Sequence, residues 1–268
     1  MSPVVSAADR GFTLGDGVFD TALALNGKVF ARERHIVRLI DAARTIGIEV
    51  DRRRIEDAID AALTAAPAII RTTLTRGTAA RGLWPASAGA PTVLVTTSPW
   101  SPALLGQTAR LVTASGRRNE FSPTANLKTL GYLDHILAAR EAALAGADDA
   151  LILNTQGRVA CSAIANIFAL VEGTLVTPPL SEGCLPGIMR ALVIEMAPAL
   201  GFAVAERPLL PETLAGAEAV FLTNSVRVIR AVTALDGREF AEHRAIARLA
   251  EALKARLTAE CGDLPAPA

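Results

Sequence analysis

Lys128, in the stretch FSPTANLKTLGY at residues 121–132, is one of only three lysines among 27 basic residues, the others being Lys28 and Lys254. Arginine is used wherever a plain positive charge suffices. Lys28 follows Asn26-Gly27 in an expected turn, and Lys254 stands among Glu251, Arg256 and Glu260, both solvated settings. Lys128 has uncharged and apolar neighbours, with no acidic residue between Glu120 and Asp134. Two readings stand: a side chain that snorkels to water, or a desolvated amine whose lowered pKa makes it a nucleophile. Three other features bear on the choice. Pro186-Gly187 precedes an amphipathic helix, and a helix start left open by glycine favours an anion, although alone it reads more simply as a tight turn. Thr223-Asn224-Ser225 ends a strand-like run with small polar groups suited to a phosphate or to a loop. Arg38, between Ile36 and Leu39, falls near the apolar face of its helix, either as a cover for hydrophobic surface or as a half-buried cation.

The elements that must position these residues alternate between helix and strand, which predicts an α/β or α+β fold. Thr21–Leu25 and Lys28–Phe30 flank Asn26-Gly27 as a hairpin. Ile36, Leu39, Ile40, Ala43 and Ile46 recur at helical spacing up to Gly47. Strands are expected at 69–75, 92–97, 111–114, 150–153, 164–171, 203–205, 219–222 and 227–232, with helices at 129–145 and 187–200. The sequence SPWSP marks a linker, predicting a small domain at 1–98, a linker at 99–106 and a larger domain at 107–268. The formal net charge is zero, and the longest basic run, Arg52-Arg53-Arg54, opens a segment rich in acids, so no nucleic-acid face is expected. MSPVVSAADRG lacks the pattern of a signal peptide, and no apolar run is long enough to span a bilayer. Cys161, Cys184 and Cys261 are odd in number, and with His35, His135 and His243 they match no metal motif, so reduced thiols in a cytoplasm and no metal are expected.

Together, a desolvated lysine, an open helix start, a strand-end Thr-Asn-Ser and a half-buried arginine are what a phosphorylated aldehyde cofactor needs: an amine for its Schiff base and a cradle for its phosphate. Pyridoxal 5′-phosphate (PLP) is that cofactor. The segments DRGFTLGDGVFDT (9–21), ERHIVRL (33–39), TRGTAARGL (75–83), NLKTLGYL (126–133), GRVACSAIANIF (157–168), LPGIMR (185–190) and LTNSVRVIRAV (222–232) resemble, in order, the class-IV aminotransferases. The resemblance covers nearly the whole chain, with a shortened segment before DRGF. It implies the two-domain PLP fold type IV with the cofactor at the domain interface, and a homodimer with shared active sites.

By position, the resemblance makes Lys128 the lysine that carries the cofactor and shuttles the substrate proton, and Arg38 a phosphate ligand. Ile188 and Met189 would offer backbone N–H groups to the phosphate, with Asn224 and Ser225 as further contacts. Asn166 closes the loop of Ser162 and Ala163 beside the substrate, and Phe19 replaces a tyrosine found in some relatives. Arg81 corresponds to an arginine that reaches a substrate carboxylate from the neighbouring subunit. Arg230, with Arg81, is a candidate for a second substrate carboxylate, whereas Arg227 is expected to face solvent. Cys161 takes the place of the glutamate that pairs with the cofactor's ring nitrogen, so the cofactor's electron sink is altered. The expected activity is transfer of an amino group from an amino acid, of branched-chain or D type, to a 2-oxo acid. The alternatives are an aminodeoxychorismate lyase yielding 4-aminobenzoate and pyruvate, and a cofactor-binding member with little activity because of Cys161.

Overall fold

Asn26 and Gly27 both adopt left-handed φ, 51° and 74°, as a tight hairpin requires. They join β1 (Gly17–Leu25) to β2 (Lys28–Val29) in the computed structural model, which describes residues 5–85 and 89–265. With β3 (Ala68–Thr75) and β4 (Thr92–Pro99) these form an antiparallel sheet in the order β2-β1-β3-β4. After the short α1 (Arg10–Leu14), helices α2 (Arg32–Thr45) and α3 (Arg52–Ala62) cover this sheet. Ile36, Leu39, Ile55 and Ile59 from the helices meet Val18, Ala22, Ile70 and Leu74 from the strands. This places the apolar edge of α2, and Arg38 with it, against β1.

The larger sheet begins at β5 (Ala109–Arg118) and continues, past α4 (Leu133–Leu144), with β6 (Asp149–Asn154), β7 (Val159–Ser162), β8 (Asn166–Val171) and β9 (Thr174–Thr177). Then follow α5 (Ile188–Met196), β10 (Ala203–Glu206), α6 (Pro211–Ala215), β11 (Ala219–Asn224), β12 (Val228–Leu235), β13 (Arg238–Glu239) and α7 (Arg244–Cys261). The strand order is β10-β9-β8-β11-β12-β5-β6-β7, with β13 beside β12. One apolar cluster joins Leu23, Leu25, Phe30 and Trp100 to Phe168, Ile188 and Phe221 and to Leu249, Leu253 and Leu257 of α7. The two sheets therefore share a core through α5 and α7. No helix among the described residues is long and apolar enough to cross a membrane.

Two departures from expectation concern the site. The helix expected from Thr129 starts only at Leu133, because the lysine segment is tied to β1: the Phe19 N–H donates to the Lys128 carbonyl (2.8 Å) and the Leu130 N–H to that of Gly17 (3.0 Å). The strand expected from Ile164 starts at Asn166, leaving residues 163–165 as a loop over the cavity, while the buried four-residue strand β7 carries Cys161 and had no periodic signal of its own.

Candidate active site

A cavity of about 320 Å³ opens between β1 and β3 of the small sheet and the α5, β7 and β11 ends of the large one, and Lys128 projects into it. Its Nζ donates to the Tyr132 hydroxyl (2.8 Å) and lies 4.3 Å from the centre of the Phe19 ring. The Phe19 and Tyr132 rings meet edge to face at 5.1 Å, forming an apolar collar around the amine. Burial lowers the Lys128 pKa to about 8, and Arg38 and Arg71 add to that effect against the opposing pull of Asp20. Roughly a tenth of the amine is then unprotonated at pH 7, far more than for an ordinary lysine, so of the two sequence readings the desolvated amine fits and the side chain that snorkels to water does not.

A second group of residues forms an anion cradle. Arg38 donates through Nε and Nη2 to the two oxygens of Asp20 (2.8 and 3.0 Å) and through Nη1 to the Pro186 carbonyl (3.2 Å). His35 Nδ1 lies 2.6 Å from the same carboxylate. Burial pushes the Asp20 carboxyl up, but Arg38 and His35 more than overcome it and hold the group down at about 2. Arg38 is thus oriented by a fixed charge and ties the Leu185–Gly187 loop to the small sheet. Gly187 caps α5 with no side-chain hydrogen bond, so the first N–H groups of the helix, at Ile188 and Met189, remain open beside the cavity. Only glycine fits there: a Cβ would lie 1.9 Å from Asn166 Oδ1, while Asn166 Nδ2 donates to the Leu185 carbonyl (2.9 Å). At the end of β11, Asn224 Oδ1 accepts from the N–H groups of Val226 (3.0 Å) and Arg227 (2.8 Å), shaping the turn. The Thr223 hydroxyl lies buried beside the cavity without a hydrogen-bond partner, as does Arg227 Nε. An unpartnered hydroxyl next to an open helix start fits a phosphate, and the unpartnered Arg227 guanidinium is left for a further anion.

The remaining wall is formed by Arg118, His135, Tyr132 and Cys161. His135 Nδ1 is 2.8 Å from the Ala163 carbonyl, and its Nε2 is 2.8 Å from Arg118 Nη1. A guanidinium can only donate, so Nε2 accepts and the proton sits on Nδ1. Burial, then Arg118, depresses the His135 pKa to about 4, which keeps the ring neutral. Arg118 also donates to the carbonyls of Gly183 and Ala125 and so braces the Lys128 segment. Burial pushes the Cys161 thiol up to about 12 despite Arg118, and pushes the Tyr132 hydroxyl up to about 12. Cys161 is a neutral thiol.

Of the residues singled out in the sequence, Phe19, Arg38, Lys128, Cys161, Ser162, Ala163, Asn166, Ile188, Met189, Asn224 and Ser225 line this one cavity. Two do not. Arg230 turns away: Nε donates to the Thr108 carbonyl (2.9 Å) and Nη2 approaches Asp148 (3.6 Å), so it is a structural group between β5 and β12. Arg81 is exposed in a loop outside the cavity. Arg227, expected in solvent, lines the cavity instead. Sequence reasoning missed Arg71, whose guanidinium stacks 3.6 Å over the Phe19 ring at the mouth, as well as Arg118, Tyr132 and His135. Tyr132, four residues beyond Lys128, was the one with a usable signal: it is the only tyrosine in the chain.

The chain is similar to known proteins over most of its length. Residues 17–235 match the family model for amino-transferase class IV. The branched-chain-amino-acid aminotransferase of Escherichia coli is 30% identical over 231 residues, 81% of this chain and 74% of that protein. Its crystal structure superposes with a TM-score of 0.88 over 97% of this chain and 91% of that one, with 26% identity. The aminodeoxychorismate lyase of Bacillus subtilis is 30% identical over 240 residues, 87% of this chain and 82% of that protein. A hypothetical aminotransferase from Mycobacterium tuberculosis in its PLP-bound form matches with a TM-score of 0.85 and 26% identity, over 96% of this chain and 94% of that one.

Proposed function

The chain belongs to the class-IV aminotransferases, and from that premise we propose that it is a PLP-dependent amino-acid aminotransferase passing an amino group to a 2-oxo acid. The observation that carries the reading is the cavity's double character. Phe19, Ala163, Ile164, Met189 and Val226 give it apolar walls, while Arg71 and Arg227 line it with no carboxylate partner among the described residues. An enzyme that takes an apolar amino acid in one half-reaction and a dicarboxylic one in the other needs both, since a guanidinium fork binds a carboxylate through paired hydrogen bonds.

When bound, PLP supplies the aldehyde that captures the substrate amine and the ring that withdraws electrons from the bonds at Cα. The chain's own groups do the rest. With the cofactor bound, Lys128 Nζ would be the group placed to take the substrate's Cα proton and return it one position away, a role that an amine with a burial-lowered pKa suits. Tyr132 holds Nζ by its 2.8 Å hydrogen bond. Arg38, Thr223, Ser225 and the N–H groups of Ile188 and Met189 would hold its phosphate, and Asn224 and Asn166 hold the turns that present them. Arg71 and Arg227 receive substrate carboxylates, and the collar of Phe19 and Tyr132 excludes water.

The enzyme works as a homodimer on this reading. Leu133, Ile136, Leu137 and Leu144 stand exposed along α4, and Phe12, Leu83 and Trp84 stand exposed near the loop that carries Arg81. On this reading an interface covers these side chains, and Arg81, exposed within one subunit, serves the partner's cavity. Three free cysteines suit a reducing cytoplasm.

The lyase reading is favoured by the 30% identity with the B. subtilis lyase. One panel separates the two. Purified enzyme is offered branched-chain and other L- and D-amino acids with 2-oxoglutarate or pyruvate, and in parallel aminodeoxychorismate with detection of 4-aminobenzoate. Amino transfer without 4-aminobenzoate supports the aminotransferase; 4-aminobenzoate release without amino transfer overturns it.

A further inference from the structure

Five cationic side chains line the cavity, Lys128, Arg38, Arg71, Arg118 and Arg227, and among its described lining residues there is no aspartate or glutamate. The two carboxylates that lie just behind it are committed elsewhere. Asp20 is shared by Arg38 and His35. Asp149, beneath the loop that follows β7, accepts from the Ser162 hydroxyl (2.7 Å) and the N–H groups of Ala150 (2.8 Å) and Ala163 (3.2 Å). A pyridine nitrogen within this cavity therefore meets no anion, wherever on the wall it falls.

The charged and titratable groups around Cys161 agree. Arg118 approaches it from β5, Tyr132 and His135 from α4 and the turn before it, Cys184 from the loop before α5 and Asp149 from β6. Both His135 nitrogens are engaged, and its ring is neutral. Arg118 places three of its five N–H donors on two carbonyls and on His135. What the wall offers is a buried S–H group and positive charge, and nearby positive charge disfavours a second cation.

We infer that this cavity holds the ring nitrogen of PLP unprotonated, as a hydrogen-bond acceptor facing the donors of the Cys161 wall rather than as a cation paired with a carboxylate. The inference rests on the cofactor reading above. An unprotonated ring withdraws electrons more weakly, so more of the negative charge that develops at Cα must be met by Lys128 and the arginines. This makes the cationic lining part of the chemistry as well as of substrate binding.

The test uses the full chain loaded with PLP carrying 15N in its ring. Borohydride reduction and peptide mapping of one portion establish attachment to Lys128, and 15N NMR of the unreduced portion reads the ring nitrogen between pH 6 and 9. The expected resonance is at the neutral pyridine position throughout, moving to the pyridinium position in Cys161→Glu or, if that side chain is too long to fold in, in Cys161→Asp. Attachment together with a pyridinium resonance in the wild-type protein overturns this inference alone. Absence of attachment overturns the cofactor reading and this inference with it. A ring that stays neutral in both loaded variants overturns the placement of the nitrogen on the Cys161 wall.

Discussion

Replacing Lys128 by methionine should stabilise the cofactor-free protein at neutral pH and destabilise it in alkali. The lysine's pKa falls from an ordinary 10.5 to about 8 in the fold, chiefly by burial. Each unit is about 1.4 kcal/mol, so housing the charged amine costs roughly 3 kcal/mol at pH 7. Methionine fills similar space without that charge but forfeits the bond from Nζ to the Tyr132 hydroxyl, worth about 1 kcal/mol. With a further discount for partial exposure of the lysine, Lys128→Met should be about 1–2 kcal/mol more stable at pH 7. The sign follows from proton binding. Below pH 8 both folded and unfolded wild-type chains hold the proton and the full cost applies. Between 8 and 10.5 only the unfolded chain holds it, so wild-type stability rises with pH and the advantage of the variant disappears. Urea unfolding of both apo-proteins at pH 7 and near pH 10 reads the gap directly. A gap that does not change with pH, or a variant less stable at pH 7, would refute the desolvated amine.

Asp20→Asn leaves Arg38 and His35 without their shared anion, a loss of about 3–5 kcal/mol for a broken buried pair, and should weaken PLP binding at least tenfold by equilibrium dialysis. Because the Asp20 carboxyl is held at about 2 against an ordinary 3.8, its stabilisation is complete above the higher value and lost as pH falls through the lower; the variant should lack that part of the acid unfolding profile. Arg71→Gln should raise KM for a dicarboxylic substrate roughly tenfold or more, the worth of one charged hydrogen bond, and leave KM for an apolar amino acid within a factor of about two. Equal effects on both would remove Arg71 from carboxylate recognition. Leu137→Glu on the exposed face of α4 should yield monomers in light scattering; an intact dimer would place the interface elsewhere.

Lys128 was legible because its rarity and uncharged surroundings are properties of the string itself. Arg38 was legible because helical spacing puts it beside Ile36 and Leu39. The partner that orients it was not: Asp20 sits in the apolar strand sequence GVFDTALAL, and only the packing of α2 on β1 brings the two together. Tyr132 was hidden by helical propensity across Thr129–Ala145, which two backbone hydrogen bonds to β1 override. Arg227 and Arg230 were read the wrong way round. The hairpin residues between Asn224 and Val228 put Arg227 at the cavity, and Val228 enters β12 with a φ of 61°, a conformation that β-branched residues rarely adopt and that VRVIR does not announce. Arg71 and Arg118 lie in strands whose alternation has no meaning until the sheets are docked. The local chemistry could be read in the sequence, whereas the pairings that tune it are long-range.

The central claim, that Lys128 carries the cofactor in this cavity, is tested most directly by reducing the PLP-loaded protein with borohydride and mapping the modified peptide. The account predicts a pyridoxyl group on Lys128 alone, with no stable adduct in Lys128→Met. A label on Lys28 or Lys254, or an equal label in the variant, would contradict it.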